Sequence, residues 1–204
     1  MNLNDDVTMD AMPRIDRASL MTLETYARER PQFRAKVIAH KKDRTVHLGE
    51  HVTLVFEDEL TIRYQVQEML RIERIFEEEG IQEELAAYNP LVPDGRNLKA
   101  TMMIEYPDPV ERARRLAELI GLEDKVWIQV KGHERVCAVA DEDLERENEQ
   151  KTSAVHFLRF ELDEAMVQAL KKGAGLAIEI DHPRYTAAVE APPAVRKALA
   201  KDLT

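Results

Sequence analysis

Between residues 60 and 99, polar side chains occupy positions where a packed fold would favour hydrocarbon. Ile62, Val66, Met69, Glu73 and Phe76 follow a 4-3-4-3 spacing, which sets them on one stripe of an α-helix. The fourth member is a carboxylate. A buried, unpaired carboxylate costs several kcal/mol, so Glu73 is expected to be neutral, paired, metal-bound or turned into a wet cavity. A structural pair with Arg71 or Arg74 is the plainer outcome; general acid–base work is the sharper one.

A second stripe, Arg63, Gln67, Arg71 and Arg74, runs beside the first, with Tyr64 and Glu68 further round the polar side. Forked guanidinium donors at this spacing suit a carboxylate or phosphate. The competing reading is a solvated face laced with local ion pairs, each worth a few tenths of a kcal/mol. A turn-rich loop follows, Tyr88-Asn89-Pro90-Leu91-Val92-Pro93-Asp94-Gly95-Arg96-Asn97, and then Lys99. Its Asn-Pro and Pro-Asp-Gly steps make a stiff bend. Such loops often present polar groups, here Asn89, Asp94, Arg96 and Lys99, to an anion or a partner.

Other chemistries find little support. The six histidines (His40, His47, His51, His133, His156 and His182) form no His-Glu-x-x-His, Glu-x-x-His or close Cys/His array. No metal ligand set and no cofactor is therefore assigned, although scattered histidines can converge in space. Alternation places His156 with Ala154, Leu158 and Phe160, the position of a satisfied core histidine. The only cysteine, Cys137, reads as a buried thiol and excludes an intrachain disulfide. Ser19 and Ser153 are the only serines, and neither lies in a nucleophile elbow. Gly173-x-Gly175 follows a helix rather than a strand, the reverse of a dinucleotide fingerprint.

These residues need elements to hold them. Thr22 caps a short helix, and Pro31 opens another with Phe33, Val37 and Ile38 facing inward. Residues 45–56 alternate as a hairpin. A three-residue turn over 49–51 puts Val46, Leu48, Val52 and Leu54 on one face, which a two-residue turn would not. A helix is expected over 59–78 and a shorter one over 82–88, then a strand over 99–106. Asp108-Pro109-Val110-Glu111 is a helix start with an acceptor at N-cap and Pro at N1. Residues 125–131 and 134–140 form a second hairpin. The acidic run 141–150 reads as a solvated loop. Strand 154–162, a helix capped by Asp163, a hairpin turning at His182-Pro183 and a terminal helix after Pro192-Pro193 complete the chain. The order predicts an α+β fold around an antiparallel sheet able to curl toward a barrel, with an N-terminal helical portion. Residues 1–18 are expected to form a flexible arm and 19–204 a single domain.

With Lys and Arg totalling 29 against 39 Asp and Glu, the net charge is −10. That field disfavours nucleic acid and anionic membrane. The amino terminus lacks an apolar signal segment and no run approaches a membrane span, so a cytoplasmic location is expected.

Three stretches, Arg63-Tyr64-Gln65-Val66-Gln67-Glu68-Met69-Leu70-Arg71, the Tyr88-to-Thr101 loop and strand, and Lys151-Thr152-Ser153-Ala154-Val155-His156-Phe157-Leu158-Arg159-Phe160, resemble the bacterial domain-of-unknown-function family 3501. The resemblance runs from about Leu20 to the carboxyl end and brings no established activity. It implies a setting beside rubrerythrin-like proteins and iron–sulfur oxidoreductases, hence an accessory role in redox or peroxide handling. The leading expectation is an accessory protein whose 63–71 face and 89–99 loop contact a small anionic ligand or a protein partner of that module. The alternative is an enzyme or metalloprotein with Glu68 or Glu73, Tyr64, Asn89 and a histidine in one pocket.

Overall fold

The computed structural model describes residues 15–142, 146 and 150–204. In chain order, Leu23–Lys42 (α1) leads into a hairpin of Thr45–Leu48 (β1) and Val52–Phe56 (β2), and Glu59–Glu73 (α2) and Glu78–Tyr88 (α3) follow. Asn97–Ile104 (β3), Pro109–Glu118 (α4), Val126–Val130 (β4), Arg135–Cys137 (β5) and Val139–Ala140 (β6) come next. Val155–Glu161 (β7), Glu164–Lys171 (α5), Leu176–His182 (β8), Tyr185–Glu190 (β9) and Pro193–Leu199 (α6) close the chain.

The strands make two antiparallel sheets, one ordered β1-β2-β3-β7-β6 and the other β5-β4-β8-β9. The fold is thus α+β, but the sheets remain separate rather than closing into a barrel. The first hairpin has the expected register, with Leu48 opposite Val52 and Val46 opposite Leu54. Gly49 enters the turn at φ +71°, a conformation that a side chain resists. The inward residues of both sheets, among them Leu54, Phe56, Met102, Phe160, Ile128 and Ile178, form one core with apolar residues of α4, α5 and α6. α4 begins as its sequence predicts, Asp108 accepting a hydrogen bond from the Glu111 N–H at 2.7 Å.

The segment 135–140 changes sheets. β5 pairs with β4, but two residues later β6 pairs with β7 in the other sheet. Ala138 marks the step, its N–H donating to the Val126 carbonyl at 2.9 Å. The single hairpin strand expected over 134–140 is therefore split, and its end is delivered to the five-stranded sheet.

A second apolar cluster lies in the helices, where Ile62, Val66 and Leu70 of α2 meet Ile81 and Leu85 of α3. Ile15 and Leu20 belong to it, so Ile15 anchors the described end of the expected arm; the rest of that arm before Ile15 lies outside the described residues.

Three local expectations need correction. α1 is one 20-residue helix with Pro31 inside it, and Ile38 is exposed. α2 stops at Glu73 because Arg74 adopts φ +58° as a left-handed cap, a stop that no glycine announces. Phe76 thereby leaves the stripe and is 68% exposed. Cys137 lies on short edge strand β5 and is an exposed free thiol rather than a buried one.

Candidate functional site

The premise that Glu73 is stranded in hydrocarbon fails: at the last turn of α2 its side chain is exposed. The buried polar member of the helix is Gln67 instead, 1% exposed. Gln67 accepts the Met21 N–H at 2.7 Å, and its amide donates to the Met21 carbonyl. Asn89 treats Ile15 the same way, accepting from its N–H at 2.8 Å and donating to its carbonyl at 2.9 Å. These two amides act as surrogate strand edges that dock the segment 15–21.

The remaining expected site residues are spread out. Glu68 accepts from both Nε and Nη2 of Arg30, at 2.7 and 2.8 Å, and from the Tyr26 hydroxyl at 2.6 Å. Arg71 flanks it at 3.5 Å. The Arg30 hydrogen bonds lead in pulling the Glu68 carboxyl down to about 2. Burial and that carboxylate push the Tyr26 hydroxyl up. Arg63 pairs with Glu59 at 3.3 Å, and both Arg63 and Tyr64 lie against the Phe33 ring. In the loop, Asp94 accepts the Arg96 N–H at 2.9 Å while the Arg96 side chain is exposed. Lys99 donates its ammonium to the carbonyls of Pro90 and Val92, and burial lowers its pKa. Glu68 and Arg71 do meet, and Gln67 and Asn89 hold the two ends of one docked segment. Lys99 and Asn89 line separate cavities, and neither cavity includes another of the ten.

Chemistry converges elsewhere. His156 of β7 is fully buried, with Nδ1 2.6 Å from Asp141 Oδ2 and 3.6 Å from Glu123 Oε1. Glu123 comes from the 3₁₀ turn Glu123–Lys125 that follows α4, and it is 5% exposed. Asp141 stands directly after β6, placed there by the change of sheets and held at φ +49°. Its Oδ1 accepts the Phe157 N–H at 2.9 Å and faces Arg146 at 3.3 Å, which leaves Oδ2 directed at the imidazole. The three ligand atoms fall within 4.8 Å of one another.

The far side of the ring has two polar neighbours. Nε2 lies 3.1 Å from the Ser153 carbonyl, to which it donates in the tautomer that carries the proton there. It also lies 2.9 Å from Thr152 Oγ1, and that hydroxyl donates onward to Glu123 at 3.4 Å. Nδ1 then faces two carboxylate oxygens. A bare lone pair there would repel both. Nδ1 therefore carries either a proton, donated to Asp141, or a metal ion. Two carboxylates and one imidazole, with the second ring nitrogen tied to a backbone carbonyl, are a donor set for a divalent first-row cation.

Asp141 and Glu123 are not among the residues that the sequence singles out. Asp141 was submerged in the acidic run expected to be solvent-facing, and nothing in the spacing 123–141–156 signals convergence. His156 was placed correctly on the inner face, but its partners were invisible.

The fold and this centre define a two-sheet α+β protein with a buried carboxylate–histidine cluster at the point where one strand changes sheets. The family model described as protein of unknown function (DUF3501) matches residues 14–203, and the chain belongs to that family. A crystal structure of a novel protein of unknown function from Burkholderia pseudomallei K96243, at 1.90 Å resolution, is similar. It is 56% identical with a TM-score of 0.90, and the match covers 94% of this chain and 100% of that one. No curated protein matches. Among the described residues, no helix is long and apolar enough to cross a membrane.

Proposed function

We propose that the protein binds one divalent transition-metal ion at Glu123, Asp141 and His156. The observation that carries this reading is a fully buried imidazole whose Nδ1 is confronted by two carboxylates brought from distant parts of the chain. Ligand bonds near 2.0–2.2 Å need donor atoms about 3 Å apart. The 2.6 Å contact would open by a few tenths of an ångström and the 3.6 Å one would close. Oxygen-rich ligation with one nitrogen suits Mn(II), Fe(II) or Zn(II) better than Cu(I). Thr152 would support the site from outside by holding Glu123.

A metal site on these residues, rather than on the expected Glu68, Glu73, Tyr64 and Asn89, is thus favoured over an anion-binding face on 63–71, most of whose side chains are engaged locally. The accessory role in redox or peroxide handling, with a cytoplasmic protein partner, rests on the family resemblance and joins the proposal on that ground. A buried iron or manganese centre is compatible with it. We assign no reaction.

Metal analysis of protein purified without a histidine tag tests the reading. About one equivalent of Mn, Fe or Zn is expected after mild dialysis, falling in Asp141→Asn and His156→Gln. Added metal at a hundredfold excess over Kd should stabilise the wild type by about 2.7 kcal/mol. Less than about 0.1 equivalent, with no stabilisation by any of the three ions, would leave a structural histidine hydrogen-bonded to Asp141.

A further inference from the structure

A second carboxylate, remote in sequence from the metal ligands, has no partner for one of its oxygens. Glu57 lies between β2 and Asp58, the N-cap of α2, and is 6% exposed. Its backbone is fully used: the N–H donates to the Lys99 carbonyl at 2.8 Å and the carbonyl accepts from Arg44 at 3.0 Å. Oε1 accepts the Thr101 hydroxyl at 2.7 Å. Oε2 is buried and has no hydrogen-bond partner among the described residues. Buried polar atoms are nearly always satisfied, so an exception calls for an explanation.

The surroundings supply one. Glu57 lines two cavities that also share Leu91 and Phe157. The larger, about 240 Å³, lies between the outer face of the five-stranded sheet and the helices α2 and α3. Its walls include Val55, Ile62 and Met103, with the Tyr88 ring at one side. The smaller, about 60 Å³, lies beneath the 3₁₀ turn Asn89–Leu91. Lys99 lines that smaller space, but its ammonium is spent on two backbone carbonyls. Lys41 lines the larger one without hydrogen-bonding to the free oxygen. An acceptor in need of a donor, in a cleft whose walls join Val55, Ile62, Met103 and Phe157 to the polar Thr61 and Gln65, is complementary to an apolar body that ends in a cation.

We infer that Glu57 Oε2 anchors a small primary amine, whose aliphatic or aryl body fills the cleft between the β2–β3–β7 face and the α2–α3 pair. The carboxylate would turn to present Oε2 to the amine while Oε1 keeps its bond from Thr101. This site uses none of the three residues proposed to hold a metal ion.

Benzylamine is a suitable probe, with benzyl alcohol as its uncharged counterpart. Titrated into the full chain and followed by amide NMR, benzylamine should give saturable shifts at Leu91, Thr101 and Phe157. Its Kd should fall at about the millimolar level expected for so small a ligand. Benzyl alcohol and the Glu57→Gln variant should each bind at least about tenfold more weakly. A crystal of the wild type soaked in benzylamine gives a readout that needs no variant, with the amine nitrogen within hydrogen-bond distance of Oε2. The inference is overturned by unsaturable shifts, by equal binding to Glu57→Gln, or by an ordered water on Oε2 that benzylamine fails to displace.

Discussion

Arg44, buried just after α1, forms a two-pronged ion pair with Asp202, near the far end of the chain. The same guanidinium donates to the Phe56 carbonyl at 2.8 Å and lies 3.3 Å from Asp58. One cation thus ties β2, the start of α2 and the carboxyl-terminal turn together. Burial pushes the Asp202 carboxyl up further than Arg44 pulls it down. Asp58 moves the other way: burial raises it, but Arg44, the Thr61 N–H and His40 together hold it below its ordinary value.

Asp202→Ala should therefore cost about 3 kcal/mol, the low end for breaking a buried pair, because Asp58 still faces the guanidinium. Urea unfolding followed by circular dichroism measures this. A loss under about 0.5 kcal/mol would mean that Asp58 alone satisfies Arg44.

Acid should weaken the α1–α2 contact through Glu68. Its folded carboxyl titrates at about 2 against an ordinary 4.5, chiefly because Arg30 donates to it. A depressed acid stabilises above its unfolded pKa, and that stabilisation disappears as pH falls through the folded value. The window is thus from about 4.5 down to about 2. Arg30 is one-third exposed, so water screens the pair and Glu68→Gln should cost about 1–2 kcal/mol at pH 7. The gap between variant and wild type should shrink as pH approaches 2. An equal gap at both extremes would show that the pair contributes packing rather than charge.

Legibility in the sequence tracked how local each determinant was. The β1–β2 register could be read because turn length decides which face is buried, and the α4 start because its cap lies within four residues. The end of α2 could not, since Arg74 takes a left-handed conformation usually left to glycine. That one residue undid the reading of Glu73 and Phe76 together. Asp141 was hidden for a different reason. A strand that changes sheets gives the same alternation as one that does not, so nothing local announced that its end would meet His156 and Glu123.

Gln67 and Asn89 hold the segment 15–21 through paired amide–backbone bonds. Asn89→Asp keeps the acceptor for the Ile15 N–H but sets a carboxylate against the Ile15 carbonyl. Hydrogen exchange at Ile15 should accelerate at least about tenfold in this variant, equivalent to about 1.4 kcal/mol of local opening. Amides of the core strand β3 should keep their protection. Unchanged exchange at Ile15 would show that its apolar packing alone docks the segment.

The β1–β2 turn is gripped from the opposite sheet. The Tyr185 hydroxyl of β9 donates to the Leu48 carbonyl and accepts the His51 N–H at 3.2 Å. A Cβ at Gly49 would lie 2.6 Å from that hydroxyl, at a φ of +71° that already disfavours a side chain. Gly49→Ala should cost about 1–2 kcal/mol from the backbone, plus the displaced hydrogen bonds. Tyr185→Phe should cost about 1 kcal/mol by leaving the Leu48 carbonyl without its donor. The double variant should lose less than the sum, because the alanine methyl has already evicted the hydroxyl that the second change removes. The coupling should be about 0.5–1 kcal/mol in a double-mutant cycle. Additivity to within about 0.3 kcal/mol would mean that the turn holds its shape without the tyrosine, and that the two sheets are joined there by apolar packing alone.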